Sequence, residues 1–487
     1  MNPDASHQPA PLPPDVAPPH RPLTWTLVGV AIVIMLAGVL FGYDQGVISG
    51  ALGGIQKDFH VSTFPLEIIT SWVTLGAMAG ALVAGGLADR LGRRMTILLA
   101  SILFIVGALV EAFAPGPTVL VVGRLVVGFG VGVASVAAPL YAAEMAPARL
   151  RGRFVSLYQL AITIGIFIAY LVNFVLSHGS GWRAMLGVSA VPAVLLVVAV
   201  WPLSDSPRWY MQAGSRPDAE RSLRKVKGVD DVTADLDTMQ ASIDEDARSH
   251  AGWKTVFAQQ WRRPLTIGVT LAMLQQLTGI NAVIYYANQI FEAAGFISPT
   301  SQSLATLWAI GAVNVVATFV AVVWVDRFGR KPLLFIGTVG MGVSLVVVGA
   351  MFLKLTKITP GSVAHTPTGE GLITLVALVV FIASFAFSLG PIVWTIINEI
   401  FPSHVRGRAV AVATAANWFA AWLVAQFFLT MVDLITTTGV FWVFAGFCGV
   451  TFWFVRQYVP ETKGSSLEQI QSMWGDPAAL AAAMKEQ

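Results

Sequence analysis

A carboxylate stands at Asp44, near the end of a long apolar run, "LFGYDQGVISG" (40–50). Inside a membrane helix such a charge costs about 2.5–3.5 kcal/mol on insertion scales, so it needs a partner or a use. A second charge, Arg124 in "VVGRLVVGFG", lies in another apolar run. At 1.5 Å per residue from the helix ends, both fall about 10 Å deep on the same side. A static ion pair would offset its own burial. The pair could also carry a proton. Burial favours the neutral acid, whereas a close guanidinium favours the carboxylate. Withdrawing Arg124 by a few ångströms would change that balance by about 4 kcal/mol, enough to load and release a proton.

Amides form the second set. Gln159, Gln275, Gln276, Asn281, Asn314 and Asn417 lie inside apolar runs, with Asn173 and Gln426 nearer their ends. Amides both donate and accept, which suits the edge of a polyhydroxylated ligand. Any one of them could simply tie two helices together, worth about 0.6 kcal/mol. Six together read as a polar cavity on a pathway. Gln159 and Ile166 are seven apart and share a helix face. Gln275 and Asn281 are six apart, about 120° around a straight helix. Both can face one ligand if the helix breaks, and Gly279 between them permits that. Gly390-Pro391 permits a second break one turn before Trp394.

Charges in short loops form the third set, and they repeat. "ADRLGRR" (88–94) has a counterpart in "VDRFGRK" (325–331), and "EMAPARLRGR" (144–153) in "EIFPSHVRGR" (399–408). The offsets are 237 and 255 residues. Topology signalling accounts for the arginines alone. It leaves Glu144, Glu399, Asp89 and Asp326 unexplained. Carboxylates and guanidiniums alternating on one face could pair between the halves in one conformation and part in another. We expect such a gate from Asp89, Arg90, Arg94, Glu144, Arg151, Asp205, Arg208, Asp326, Arg330, Glu399 and Arg406.

The elements that position these residues are transmembrane helices. The 487 residues are 55% hydrophobic and 12% charged, against about 25% charged in soluble domains. Mean hydropathy is +0.70. Apolar runs of about 20 residues recur, about twelve by pattern. The fold class is therefore an all-α polytopic membrane protein. Residues 1–22, with eight prolines, read as a disordered tail. The first span is expected from Leu23 to about Leu52, and is too long for a signal-peptide core. Residues 23–204 and 263–459 then form two six-helix bundles, joined by a polar helical linker at 205–262 and followed by a tail at 460–487. Two parallel halves around a mid-plane site is a transporter architecture. The basic loops place both termini and the linker in the cytoplasm. The net charge of +3 needs no nucleic acid partner, and a single cysteine, Cys448, excludes an internal disulfide. No metal cluster, nucleophile elbow or phosphate loop suggests an enzyme or a cofactor.

The chain resembles the sugar porters of the major facilitator superfamily from about residue 24 to 465. "GGLADRLGRR", "PLYAAEMAPARLRGR", "SDSPRW", "QQLTGINAVIYY" and "PETKG" carry the match. The first is shared by many facilitators, while the fourth and fifth are much more specific. Asp205 stands where the family usually has Glu, and Val393 differs from many relatives. The resemblance points to the same six amides as the sugar site, with Trp394 as platform and Phe41, Ile166, Tyr285, Tyr286 and Trp418 around them. It associates the aspartate at 44 with proton symport, and facilitators often lack a charge there. It implies a monomeric importer of a monosaccharide, glucose-like among hexoses and pentoses, in the cell membrane, with the proton as coupling ion. A facilitative uniporter, a polyol or inositol transporter and a membrane sugar sensor are the alternatives.

Overall fold

The structure is a computed structural model that describes residues 24–177, 181–248, 253–355, 368–401 and 403–461. Among these, all regular structure is helical, as a chain in lipid requires when it must satisfy its own backbone. Eleven helices are long and apolar enough to cross a membrane. The first six are Trp25–Phe59, Thr63–Leu91, Arg93–Ala112, Pro117–Met145, Gly152–Val175 and Trp182–Val200. The next four are Gln259–Tyr285, Pro299–Val323, Arg330–Leu355 and Gly369–Glu399. The last, Val405–Tyr458, has 54 residues, about 80 Å of helix against a hydrocarbon core about 30 Å thick. It is broken at Thr436, where φ 65° and ψ 160° are not helical. Each side of the break is itself long enough to cross. Large apolar side chains such as Val198, Phe319 and Val343 are more than half exposed on the outer surface, where lipid tails would meet them.

The first span runs seven residues beyond Leu52, to Phe59, and ends on His60 in the left-handed region. An apolar run marks membrane depth, and the helix continues into the polar zone. Spans one to six pack chiefly second on fourth, first on fifth and third on fourth. In the second half the ninth span packs on the tenth, and the seventh and ninth pack on the long last helix. The halves meet where the second span lies along that last helix and the fifth along the eighth.

Backbones approach closely in the first half through glycine. A Cβ added at Gly42 would fall 1.9 Å from the Ile162 carbonyl oxygen, and one at Gly128 2.0 Å from that of Val73. The second half is instead interrupted. The seventh span breaks at Gly279, φ 90°, where a Cβ would lie 2.4 Å from the Phe444 ring. The tenth breaks at Ser388 (φ −123°, ψ −95°), three residues ahead of Pro391. Proline lacks the N–H that would reach back to this turn. The eighth contains a π-helical stretch, Thr306–Ala312.

Between the sixth and seventh spans, helices Pro207–Gln212, Arg216–Lys227 and Thr233–Arg248 share a small apolar cluster including Met211, Leu223 and Leu236. Thr24 Oγ1 donates to the Val226 carbonyl at 3.1 Å, which ties the linker to the start of the first span. The face bearing Arg93, Arg330 and this linker is called the basic face below. Residues 1–22 and most of 460–487 lie outside the described residues.

Candidate functional site

The structure brings Asp44 and Arg124 together. Arg124 Nη1 donates to Asp44 Oδ1 at 2.7 Å, and both side chains are buried. Arg124 Nε donates to the Ile69 carbonyl at 3.2 Å, so the second span fixes the guanidinium plane. Glu111 is the residue that spacing did not single out. Its Oε1 lies 3.7 Å from Arg124 Nη1. Its signal was the one that marked Asp44, a lone carboxylate in the apolar stretch "IVGALVEAFAPG". Across the interface, Asp44 and Arg124 both act electrostatically on the buried Tyr285.

Three of the six amides form one mesh. Gln275 Nε2 donates to the Leu389 carbonyl at 2.7 Å, an acceptor next to the tenth-span break. Asn417 Nδ2 donates to Gln275 Oε1 at 2.9 Å and to the Ala272 carbonyl at 2.9 Å. Gln276 Nε2 donates to Asn417 Oδ1 at 3.2 Å, and Gln276 Oε1 is buried without a hydrogen bond. A buried acceptor left unused is costly unless a ligand completes it. Asn281 and Asn314 are buried outside this mesh, and Gln159 is half-buried on the fifth span. Trp394, half-buried, follows the tenth-span break, and Ile166 packs against the first span near Gly42 and Gly46. Phe41 and Trp418 pair across the halves with ring centroids 5.5 Å apart. Asn173 does what the plainer account of an amide predicts. It ties the fifth span to the first through the Gly46 carbonyl at 3.2 Å.

Tyr285 and Tyr286 are fully buried in contacts that shut the face opposite the basic one. Tyr286 donates to the Ala425 carbonyl at 2.7 Å and stacks on Phe428. Tyr170 donates to the Ile284 carbonyl at 3.0 Å. Ser71 donates to Gln426 Oε1 at 2.7 Å. Glu67, buried, accepts from Thr430 twice, from its N–H at 2.7 Å and its hydroxyl at 2.6 Å. The bonds of Tyr170, Ser71 and Glu67 join the first half to the second, whereas that of Tyr286 ties the seventh span to the last helix within the second half.

On the basic face the same mesh is built twice. Arg93 pairs with Glu144 at 2.9 Å, and Arg330 with Glu399 at 3.2 Å. Asp205 accepts the backbone N–H of Arg93 at 3.0 Å and of Arg94 at 3.1 Å. Glu461 accepts those of Arg330 at 3.0 Å and Lys331 at 2.9 Å. A carboxylate thus sits at the N-terminus of the third and ninth spans, where the helix dipole favours it. Burial pushes the Asp205 carboxyl up, and the N–H groups of Ser206, Arg93 and Arg94 pull it back. Ser206 Oγ donates to Glu144. Arg93, which the expected gate did not include, holds Glu144, because Gly92 turns the chain and Arg93 begins the next helix. Arg90 is exposed. Asp89 lies 3.4 Å from Arg93 but is largely exposed. Arg94 reaches the Trp201 carbonyl at 2.6 Å, and Arg406 the Phe401 carbonyl at 3.0 Å. Arg208 lies near enough to Glu144 to act on it electrostatically. These pairs form within each half, where pairing between halves was expected. The side chains of Arg151 and Asp326 lie outside the described residues.

The family described as "Sugar (and other) transporter" matches residues 30–474. The galactose-proton symporter of Escherichia coli K12 is 39% identical over 449 residues, 91% of this chain and 93% of that protein. The glucose transporter GlcP of Staphylococcus epidermidis is 38% identical over 442 residues, 91% of this chain and 96% of that one. The inward open structure of the xylose transporter XylE from E. coli superposes with a TM-score of 0.77 at 30% identity, covering 92% of this chain and 100% of that one. The duplicated charge mesh, the broken seventh and tenth spans and these matches agree, and the chain belongs to the sugar transporter family of the major facilitator superfamily.

Proposed function

We propose that this chain imports a monosaccharide together with a proton by alternating access. The observation that carries the reading is the buried Asp44–Arg124 contact of 2.7 Å, which acts electrostatically on Tyr285 of the broken seventh span. A sugar held by the amides of that span changes the position of its following segment. That segment bears on the ion pair and shuts one face. Sugar binding and proton release are thereby mechanically linked. The positive-inside rule places the basic face in the cytoplasm, so the interbundle bonds of Glu67, Ser71 and Tyr170 close the outside. The relatives named for galactose–proton symport, arabinose–proton symport, xylose transport and glucose transport support a hexose or pentose as substrate. Gln275, Gln276, Asn281, Asn314, Asn417, Gln159 and Trp394 are the proposed contacts. The basic-face ion pairs act as the cytoplasmic gate.

Proteoliposome uptake of a panel of labelled sugars, with and without a proton gradient, tests this. One proton driven by 100 mV supplies about 2.3 kcal/mol, a roughly 50-fold gradient. Asp44→Asn is nearly isosteric and cannot ionise. It should retain sugar-for-sugar exchange and level off near equal concentrations. Accumulation by the variant would move the proton elsewhere. If the unmutated protein never accumulates sugar, it is a uniporter.

A further inference from the structure

Two carboxylates share one guanidinium in the outer part of the first half. Arg124 makes its short contact with Asp44, at 2.7 Å. Glu111 Oε1, 3.7 Å away, is too far for a hydrogen bond and makes none. Glu111 and Arg124 are each 1% exposed. The room for Glu111 is made by Gly123, where a Cβ would lie 2.7 Å from Glu111 Cγ.

Among the described residues, the surrounding elements supply no second cation. The first span contributes Asp44 and Tyr43, whose hydroxyl donates to the Met185 carbonyl. The second contributes the Ile69 carbonyl, and its Glu67 is held by Thr430. From the sixth span, Arg183 is part-exposed and engaged with Asp58 and the Ala114 carbonyl. From the seventh, Tyr285 is buried and uncharged, and Asp44 and Arg124 both act on it electrostatically. With both carboxylates ionised, the cluster would bury a net negative charge, which costs several kcal/mol. One proton on the pair removes that charge. The short contact assigns the ionised form to Asp44.

We propose that Glu111 is a second proton-holding carboxyl of this site, neutral in the conformation closed opposite the basic face. This rests on the proton-symport reading and extends it. The triad titrates as a coupled set, in two steps. Loss of the Glu111 proton at alkaline pH leaves a buried net charge and disfavours this conformation. Sugar exchange therefore falls as pH rises, and the limit is set by Glu111, not by Asp44.

The test uses the purified full chain in two measurements that need no gradient. Infrared difference spectra across a pH titration should show a protonated-carboxyl band that is present in the unmutated protein and lost in Glu111→Gln. The alkaline fall in sugar-for-sugar exchange should move to higher pH in that variant, by about one pH unit or more. Glu111→Met, similar in length, carries the same test if the glutamine variant does not fold. Superimposable spectra and pH profiles would overturn the proposal, since a permanently ionised Glu111 shows neither effect. Failure of the symport reading is seen separately, as no gradient-driven accumulation by the unmutated protein.

Discussion

At the scale of single residues, chemistry and packing separate cleanly at Gln275 and Gln276. Gln275 spends its N–H groups on the carbonyls of Leu389 and Gly390. It therefore holds the tenth-span break as well as any ligand. Gln276 keeps a buried, unused Oε1. Gln276→Ala should weaken sugar binding by about 1–3 kcal/mol, roughly 5- to 150-fold, with little change in thermal stability. Gln275→Ala should lower both. Equilibrium binding and melting curves distinguish the two, and full affinity in Gln276→Ala would remove that residue from the site. Individual amides and the Asp44–Arg124 pair were legible because a polar group in an apolar run has few explanations. Glu111 carried the same signal. It was hidden because its span end is followed by the polar turn "APGP", which makes a terminal carboxylate look solvated.

At the scale of elements, the breaks differ in what causes them. Gly279 sits at φ 90° against the Phe444 ring. Gly279→Ala meets a left-handed penalty of about 1–2 kcal/mol and a clash. The variant should melt lower and transport slowly. Adding Phe444→Ala should recover the clash but not the backbone cost. Equal melting of Gly279→Ala and the unmutated protein would show that packing, not glycine, bends the span. This break was readable because only glycine adopts that conformation cheaply. The tenth-span break was readable only to within a turn, since proline disrupts the hydrogen bond behind it. The break at Thr436 falls in "LITTTGV", where no residue type demands it.

At the scale of the whole molecule, the two faces are closed by different means. Opposite the basic face, the halves are joined by neutral donors, with Glu67 as the one buried carboxylate accepting twice from Thr430. Glu67→Ala should favour the conformation open on that side. The sole cysteine, Cys448, is buried, so a cysteine placed at Ser71 reports opening directly. Its alkylation rate should rise roughly fivefold or more with Glu67→Ala, from about 1–3 kcal/mol of lost bonding. An unchanged rate would mean that Glu67 does not latch the halves. The internal repeat underlies the doubled basic-face mesh, because Arg93 and Arg330 occupy equivalent positions. It could not tell pairing within halves from pairing between them. That choice depends on conformation, which one sequence shares among all its states.

The glycine contacts of the first half act as a filter on sequence change. At Gly42 and Gly128 the facing carbonyl leaves room for a hydrogen and nothing larger. In the second half, Gly268 of the seventh span is less confined, since a Cβ there would meet only side chains, at 3.5 Å or more. Substitutions are therefore accepted more readily on this stretch of the seventh span than where the first span crosses the fifth or the second crosses the fourth.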